Sequence, residues 1–596
     1  MTRAIAALCL VALTPSAFAE TPQLVSGDMT AARALFEANL DAIRRHDRDA
    51  YLACYLPAGG LARAGAEGVR FGFDSFSKQA GQRWPDLFEA SDLQLVPVAS
   101  GVVYGTYRFR VRYGSEEHMG LSERIFVSTP AGWRIAVTGA YDAPPGTPPP
   151  PVALVGGTLI DGTGSPPTRD AVVVVRGGTI ACAGSAIACA VPDGIEVVDV
   201  SGSFLTPGLI DTHVHFCQTG WADGRPDALD VRSHYPYEKV QAELRQEPQR
   251  FFRSYLCSGV TAVFDVGGFP WTFGLPEQAE PDSAAPHVVA AGPLLSTWDF
   301  WLNLPGERQF IYLADEKAAR DGVRYVIAQG GAAVKVWFIN VKDRPFEEMA
   351  ALVKVVGEEA TRAGLPVIVH ATELATAKAA LHAGAKLLVH GVGDLPVDDE
   401  FLAMARANGA AYCPTLTVRD GYLRMYQSAL HGTALVVDDP NRCVDTETLR
   451  RIGQTPELGR GKVDPERTER RVAAATREAE VQAVNLQRVI AAGIPIVLGT
   501  DAGNPLTVHG PSVYAEMEAM QAAGMSPMAV IVSATRDAAK ALRRGESLGT
   551  LEVGKAADLL VLAADPSADV RAFRTARRVM RGGQLRTVGE LATPSR

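Results

Sequence analysis

Ser203 to Phe216 read SFLTPGLIDTHVHF. A largely apolar run from Leu205 to Ile210, broken by Pro207 and Gly208, carries the chain to His213 and His215, with one valine between them. Residues two apart on a strand point to the same side, so both imidazoles can reach one metal ion, and histidine is the commonest metal ligand. Two ordinary strand histidines with hydrogen-bond partners would read the same way over this stretch. The rest of the chain decides between the two.

At 596 residues the chain exceeds one ordinary domain, and 47% hydrophobic residues suffice for large cores. A net charge of −9 gives no basic face for nucleic acid, and no apolar run approaches the roughly 20 residues of a membrane-spanning helix. Arg3, the apolar stretch Ala4 to Leu13 and the small-x-small site Ala17-Phe18-Ala19 read as a secretory signal over residues 1–19. A short amphipathic helix is the alternative. Cleavage would start the mature protein at Glu20 and place it in the periplasm or outside the cell. It would also remove Cys9 from the eight cysteines, and the odd number left is not a disulfide framework. Cys182 and Cys189 flank a turn and can pair; Cys54, Cys217, Cys257 and Cys413 sit in apolar segments and read as small core residues.

The proline-rich stretch at 143–151, APPGTPPPP, reads as a semi-rigid spacer. Before it, Ala32, Phe36, Leu40 and Ile43 fall at helical spacing. Tyr107, Phe109, Val111 and Tyr113 then alternate with arginines at period two, and a hairpin is expected around Pro130-Ala131-Gly132. His46 and His118 read as surface residues. A helix followed by long antiparallel strands implies an α+β fold. The leading helix and the GWRIAV ending resemble the nuclear-transport-factor-2-like (SnoaL-like) cone fold over about residues 25–142. Such domains enclose a pocket or mediate dimers, so the resemblance allows a homo-oligomer.

After the spacer, short strands buried on both faces alternate with helical stretches such as Phe346 to Ala363 and Ala371 to His382. The strands include TAVFDVGG, HVVAAG, AAVKVWF, LPVIVHA, AKLLVHG, GAAYCPTL and IPIVLGTDAG. Eight such units predict an α/β fold, a (β/α)8 TIM barrel, in which chemistry sits at the C-terminal strand ends. Strand one ends in His213 and His215, strand four carries Lys335, strand five ends in His370, strand six in His390 and strand eight in Asp501. The chain has only 11 histidines, and four fall at these ends, which packing alone does not explain.

This set, together with PGLIDTHVH, GVTAVFDVGG, HAGAKLLVHG, LGTDAG and the tail GTLEVGKAADLLVLAADP, resembles the amidohydrolase superfamily in its binuclear, carboxylated-lysine form. The resemblance spans about residues 152–590 and is nearest to the imidazolonepropionase-like and Xaa-Pro-dipeptidase-like group. It implies a composite β-sandwich from 152–206 and 545–590 around a barrel at 207–544. Gly157, Gly177 and Gly178 are then turn residues, and GGTLIDGTG lacks the following helix that a nucleotide site would need.

The resemblance further implies two divalent ions, with zinc suited to the nitrogen and oxygen donors. His213, His215 and Asp501 would hold one, His370 and His390 the other. An ammonium has no lone pair, so Lys335 joins them only as a CO2-derived carbamate; otherwise it is a strand-end lysine facing solvent or an ion pair. A hydroxide between the ions would attack, and Asp501 would be the catalytic proton carrier. The implied activity is hydrolysis of a C–N bond in a small-molecule substrate: an amide, dipeptide, N-acyl amino acid or cyclic amide. Glu373, three residues after His370, supports a rival: a one-metal deaminase with Glu373 as proton shuttle, unless it is only a first-turn acid at a helix N-terminus. A non-catalytic binding or scaffold protein is the third reading. Specificity is expected in the loops: Trp221, Arg232, His234 and Tyr237 after strand one, Ser296 to Trp301 after strand three, the charged insertion Thr417 to Arg467, and His509 and Glu516 near the rim.

Overall fold

The computed structural model describes residues 26–65, 68–81, 83–114, 116–142 and 149–593. The signal at 1–19 and most of the proline-rich spacer, residues 143–148, lie outside them. The chain divides into two compact units with the break after Pro150.

In the first unit the helix Ser26–Arg44 buries Ala32, Phe36, Leu40 and Ile43 on one face. Ala32, Phe36 and Leu40 pack with Tyr107, Phe109 and Val111 of the strand Val102–Tyr113, whose alternation puts those side chains on one side of a six-stranded sheet. Glu116–Thr129 and Gly132–Asp142 pair antiparallel as the expected hairpin. His46 and His118 are exposed. The architecture is α+β.

In the second unit the strands on either side of the parallel core join across the sequence. Phe204–Pro207 pairs parallel with Val152–Leu159 and antiparallel with Leu559–Leu562, within one eight-stranded sheet. The parallel strands form two further sheets. One holds Leu209–Val214, Val260–Asp265 and His287–Ala290; the other runs from Phe310–Tyr312 through Leu294–Ser296, Val334–Trp337, Val367–His370 and Leu387–Val389 to Ala411–Cys413. Helices such as Gln249–Cys257, Glu316–Ala328 and Phe346–Arg362 alternate with them, the pattern of an α/β fold. The strand predicted at HVVAAG stops at Ala290 and resumes at Leu294. Between them Gly292 takes φ +74°, and a Cβ there would meet the Phe273 ring at 2.1 Å.

The strand predicted at IPIVLGTDAG appears only as isolated bridges at Ile496 and Ala502. Its backbone still bonds both sheets: Tyr412 N–H donates to Pro495 O (2.8 Å), and Thr212 N–H donates to Leu498 O (3.0 Å). Side chains interrupt the ladder, because the Asp211 carboxylate takes the Thr500 N–H (3.0 Å) and hydroxyl (2.6 Å). The helix predicted from Ala371 begins at Leu374, where Glu373 and Thr376 form a capping box. The insertion at 417–467 folds into the helices Val418–His431, Thr446–Gly453 and Thr455–Leu458 and leads into Pro465–Ala491.

The cysteine reading is corrected at Cys257. It is not a free core residue but is bonded to Cys443, 186 positions away, as Cys182 is to Cys189. The pairing joins the end of the helix Gln249–Cys257 to the inserted segment, a proximity made by tertiary packing alone. Cys54, Cys217 and Cys413 are free and buried.

Candidate metal centre

His213 and His215 alternate with Val214 and so share a side of their strand. The Asp501 N–H donates to His213 O (2.7 Å), which holds the eighth segment against this strand. Gly499 makes that approach possible, since a Cβ there would lie 2.8 Å from the His213 Cβ. Asp501 Oδ1 consequently lies 3.3 Å from His213 Nε2 and 2.9 Å from His215 Nε2, and its Oδ2 lies 3.8 Å from His390 Nε2. The His390 ring is centred 4.8 Å from His213 and 4.4 Å from His370. Lys335 is 1% exposed and, among the described residues, no hydrogen bond or ion pair holds its ammonium. Parallel pairing places its neighbour Trp337 opposite His370. All six predicted residues line one cavity of about 370 Å³.

The electrostatics suit a cation. Burial pushes His213 and His390 well below the usual histidine range, and the Lys335 charge and neighbouring imidazoles push the same way. His370 is pushed down to about 3, by burial first and Lys335 second. These rings are therefore neutral and offer lone pairs. His215 Nδ1–H donates to Gly267 O (2.7 Å), which leaves Nε2 free to act as a ligand. Burial lowers Lys335 to about 8, against the opposing pull of Asp501, so its neutral amine is within reach near neutral pH. His213, His215 and Asp501 bring three donor atoms within 4.8 Å of one another. The donor set fits a divalent ion of the zinc type.

Two residues not singled out from the sequence stabilise this arrangement. Asp211 Oδ1 accepts the N–H of His213 (3.2 Å) and of Thr500, and burial raises its carboxyl to about 7. Asp265 accepts the N–H groups of Phe216 (3.0 Å) and Gly267 (3.1 Å). The signal was present: each is an acid inside an otherwise apolar strand, GLID and AVFD, where an unpartnered charge is costly. His390 and Asp501 adopt φ +73° and +63°, left-handed backbone that concentrates at functional sites when found outside glycine.

Other candidates lie elsewhere. Glu373 is not among the cavity-lining residues; it caps a helix and accepts from Asn340 Nδ2 (3.0 Å). Trp221 is buried and donates to Thr455 Oγ1 (2.7 Å). His509 stacks on Phe251 (4.0 Å) and is pushed down to about 3 by burial. Glu516 accepts the N–H groups of Leu416 and Thr417, fastening the turn whose Thr415 hydroxyl lies 3.3 Å from His213 Nδ1. Two of the expected specificity segments do reach the cavity, the loop after strand three through Phe300 and the insertion through Arg419, Tyr422 and Tyr426; Phe310 and Trp337 complete its apolar side, and Arg225 and Arg471 are its further cations.

The profile described as the amidohydrolase family matches residues 204–586. Over 460 residues the chain is 25% identical to ochratoxinase of Aspergillus niger, covering 72% of this chain and 86% of that protein. Over 109 residues it is 36% identical to imidazolonepropionase of Aromatoleum aromaticum, an alignment covering 18% of this chain and only 26% of that protein. The solved structure of A. niger ochratoxinase superposes with a TM-score of 0.54 at 23% identity, over 73% of this chain and 95% of that one. A Xaa-Pro dipeptidase structure superposes with a TM-score of 0.55 at 22% identity, over 73% and 100%.

Proposed function

The chain belongs to the amidohydrolase family, and from that membership we propose a metal-dependent hydrolase that cleaves the C–N bond of an amide, with His213, His215, Lys335, His370, His390 and Asp501 as its ligand set. The observation that carries this is convergence: residues from separate strands meet in one cavity, with imidazoles held neutral and a lysine held near deprotonation. The parallel strands are read as arcs of one (β/α)8 barrel with the six residues at its C-terminal rim. The names of the similar proteins, ochratoxinase and Xaa-Pro dipeptidase, point to amide-type substrates.

His213, His215 and Asp501 would hold one ion, and His370 and His390 a second. The neutral Lys335 amine could add CO2 and lose a proton, and the resulting carbamate would offer anionic oxygens as further ligands. Bound divalent ions would supply Lewis acidity, lowering the pKa of water toward about 7 and polarising the scissile carbonyl. The Asp501 carboxylate accepts the proton of the attacking water and delivers it to the leaving nitrogen. Asp211 and Asp265 keep the His213–Phe216 backbone in place while this happens. Glu373, outside the cavity lining and committed to a helix cap, has no part in the proton transfer.

A hydrolysis screen over N-acyl amino acids, dipeptides, cyclic imides and lactones tests the proposal. Activity is expected to vanish on complete chelation and to return with added zinc, and metal analysis should find two ions per chain. Amide hydrolysis that survives complete chelation would overturn the reading.

A further inference from the structure

Three guanidinium groups reach the cavity, and two of them already have carboxylates. Arg225 grips Asp227 through Nε (2.8 Å) and Nη2 (2.7 Å) and spends its third nitrogen on Asn504. Arg419 is paired with Glu478. Arg471 differs. It is half-buried, and no carboxylate lies within ion-pair distance of it among the described residues. Its guanidinium packs 4.3 Å above the ring of Tyr426, itself a buried cavity-lining residue.

A cation held over an aromatic face in a partly enclosed cavity has lost much of its water and gained no counter-charge. An arriving carboxylate supplies that counter-charge, and the planar fork of arginine matches it with two hydrogen bonds. The helix Pro465–Ala491 that carries Arg471 follows the insertion, so no strand end supplies this cation. Elsewhere in the lining, Phe300, Phe310 and Trp337 pack ring to ring at 4.9 to 5.2 Å. Trp337 is two residues from Lys335 on the same strand, so this apolar wall adjoins the candidate centre. About 370 Å³ is room for a compact two-part substrate.

We propose that Arg471 anchors a substrate carboxylate, so that the amides taken are N-acyl amino acids or dipeptides with a free carboxyl group and an apolar side for the Phe300–Trp337 wall. This rests on the amide-hydrolase reading above. Arg471 sets specificity through binding and moves no proton.

The test uses zinc-reconstituted full-length protein and two probes, N-benzoylphenylalanine and its decarboxylated analogue N-benzoylphenethylamine. The natural chain should prefer the acid through KM. In Arg471→Met the KM for the acid should rise about tenfold or more, the scale of losing one charge-assisted contact, while its kcat moves less. Arg471→Lys should recover part of the preference. Calorimetric titration of phenylalanine, which needs no turnover, should show weaker binding in Arg471→Met. Equal KM for both probes, with neither that ratio nor the phenylalanine titration altered by Arg471→Met, overturns the anchor and leaves amide hydrolysis standing. Loss of phenylalanine binding in Arg471→Met, with no amide cleaved by the natural chain, keeps the anchor and overturns the hydrolase reading.

Discussion

His213 and His287 are buried alike, at 1% and 5% exposure, yet their pKa values are shifted in opposite directions. His213 lies near the C-terminal end of its strand, and His287 begins its own. Burial pushes His213 down, and the Lys335 charge and three imidazoles push it further. Burial pushes His287 down as well, but Asp558 (3.0 Å) and Glu280 (2.9 Å) outweigh it, and its pKa ends above the usual histidine value despite the opposing charge of Arg581. One end of the strands therefore keeps imidazoles neutral, as ligation requires. The other favours the protonated form of His287, which pairs the start of the strand His287–Ala290 with Asp558. In the (β/α)8 barrel proposed for this unit, chemistry belongs to the C-terminal strand ends and stability to the N-terminal ends.

The hardest way to break that contrast is at Lys335. Lys335→Ala should lose most of one metal equivalent, and turnover should fall by more than about a hundredfold, the loss that removal of a mere outer partner of a ligand can cause. Unfolding should stay cooperative. Metal analysis and steady-state kinetics check this, and full activity with unchanged metal content would refute the bridging role.

A different loss is expected at the other end. His287→Ala leaves Asp558 buried without its cation and should destabilise the second unit by about 3 kcal/mol, with bound metal and kcat nearly unchanged. The effect should depend on pH in a fixed direction. His287 has a folded pKa above its ordinary 6.5. Its ion pairs therefore stabilise fully below about pH 6.5, and that contribution is lost as pH rises through the folded value. The stability gap between the natural chain and His287→Ala should be largest in mild acid and shrink in mild base. Denaturant titrations across that range would show it, and a gap that widens with pH would contradict the pairing.

The smallest effect is expected at Glu373. Glu373→Gln alters a helix cap and should cost about 1 kcal/mol or less, with turnover near that of the natural chain. Dead protein of normal stability would instead give Glu373 the proton-transfer role and restore the deaminase reading.

What the sequence determined by itself is the inventory and its order. Strand periodicity put His213 and His215 on one side, and the alternation of buried strands with helices placed Lys335, His370, His390 and Asp501 along a parallel α/β core. These are local patterns, with spacings set by strand and helix geometry. Tertiary structure decided everything that depends on neighbours distant in the chain. Cys257 looked like an ordinary core thiol until the fold set it against Cys443. Glu373 had the spacing of a shuttle, but the helix that it caps holds it outside the cavity lining. Asp211 is needed because the segment around Thr500 crosses beside it. Arg471 was one charge among many in a polar helix, and its lack of a counter-ion exists only in the folded chain. Burial and charge are sums over those neighbours, so the direction in which each histidine is shifted, down at His213 and up at His287, is a property of the fold.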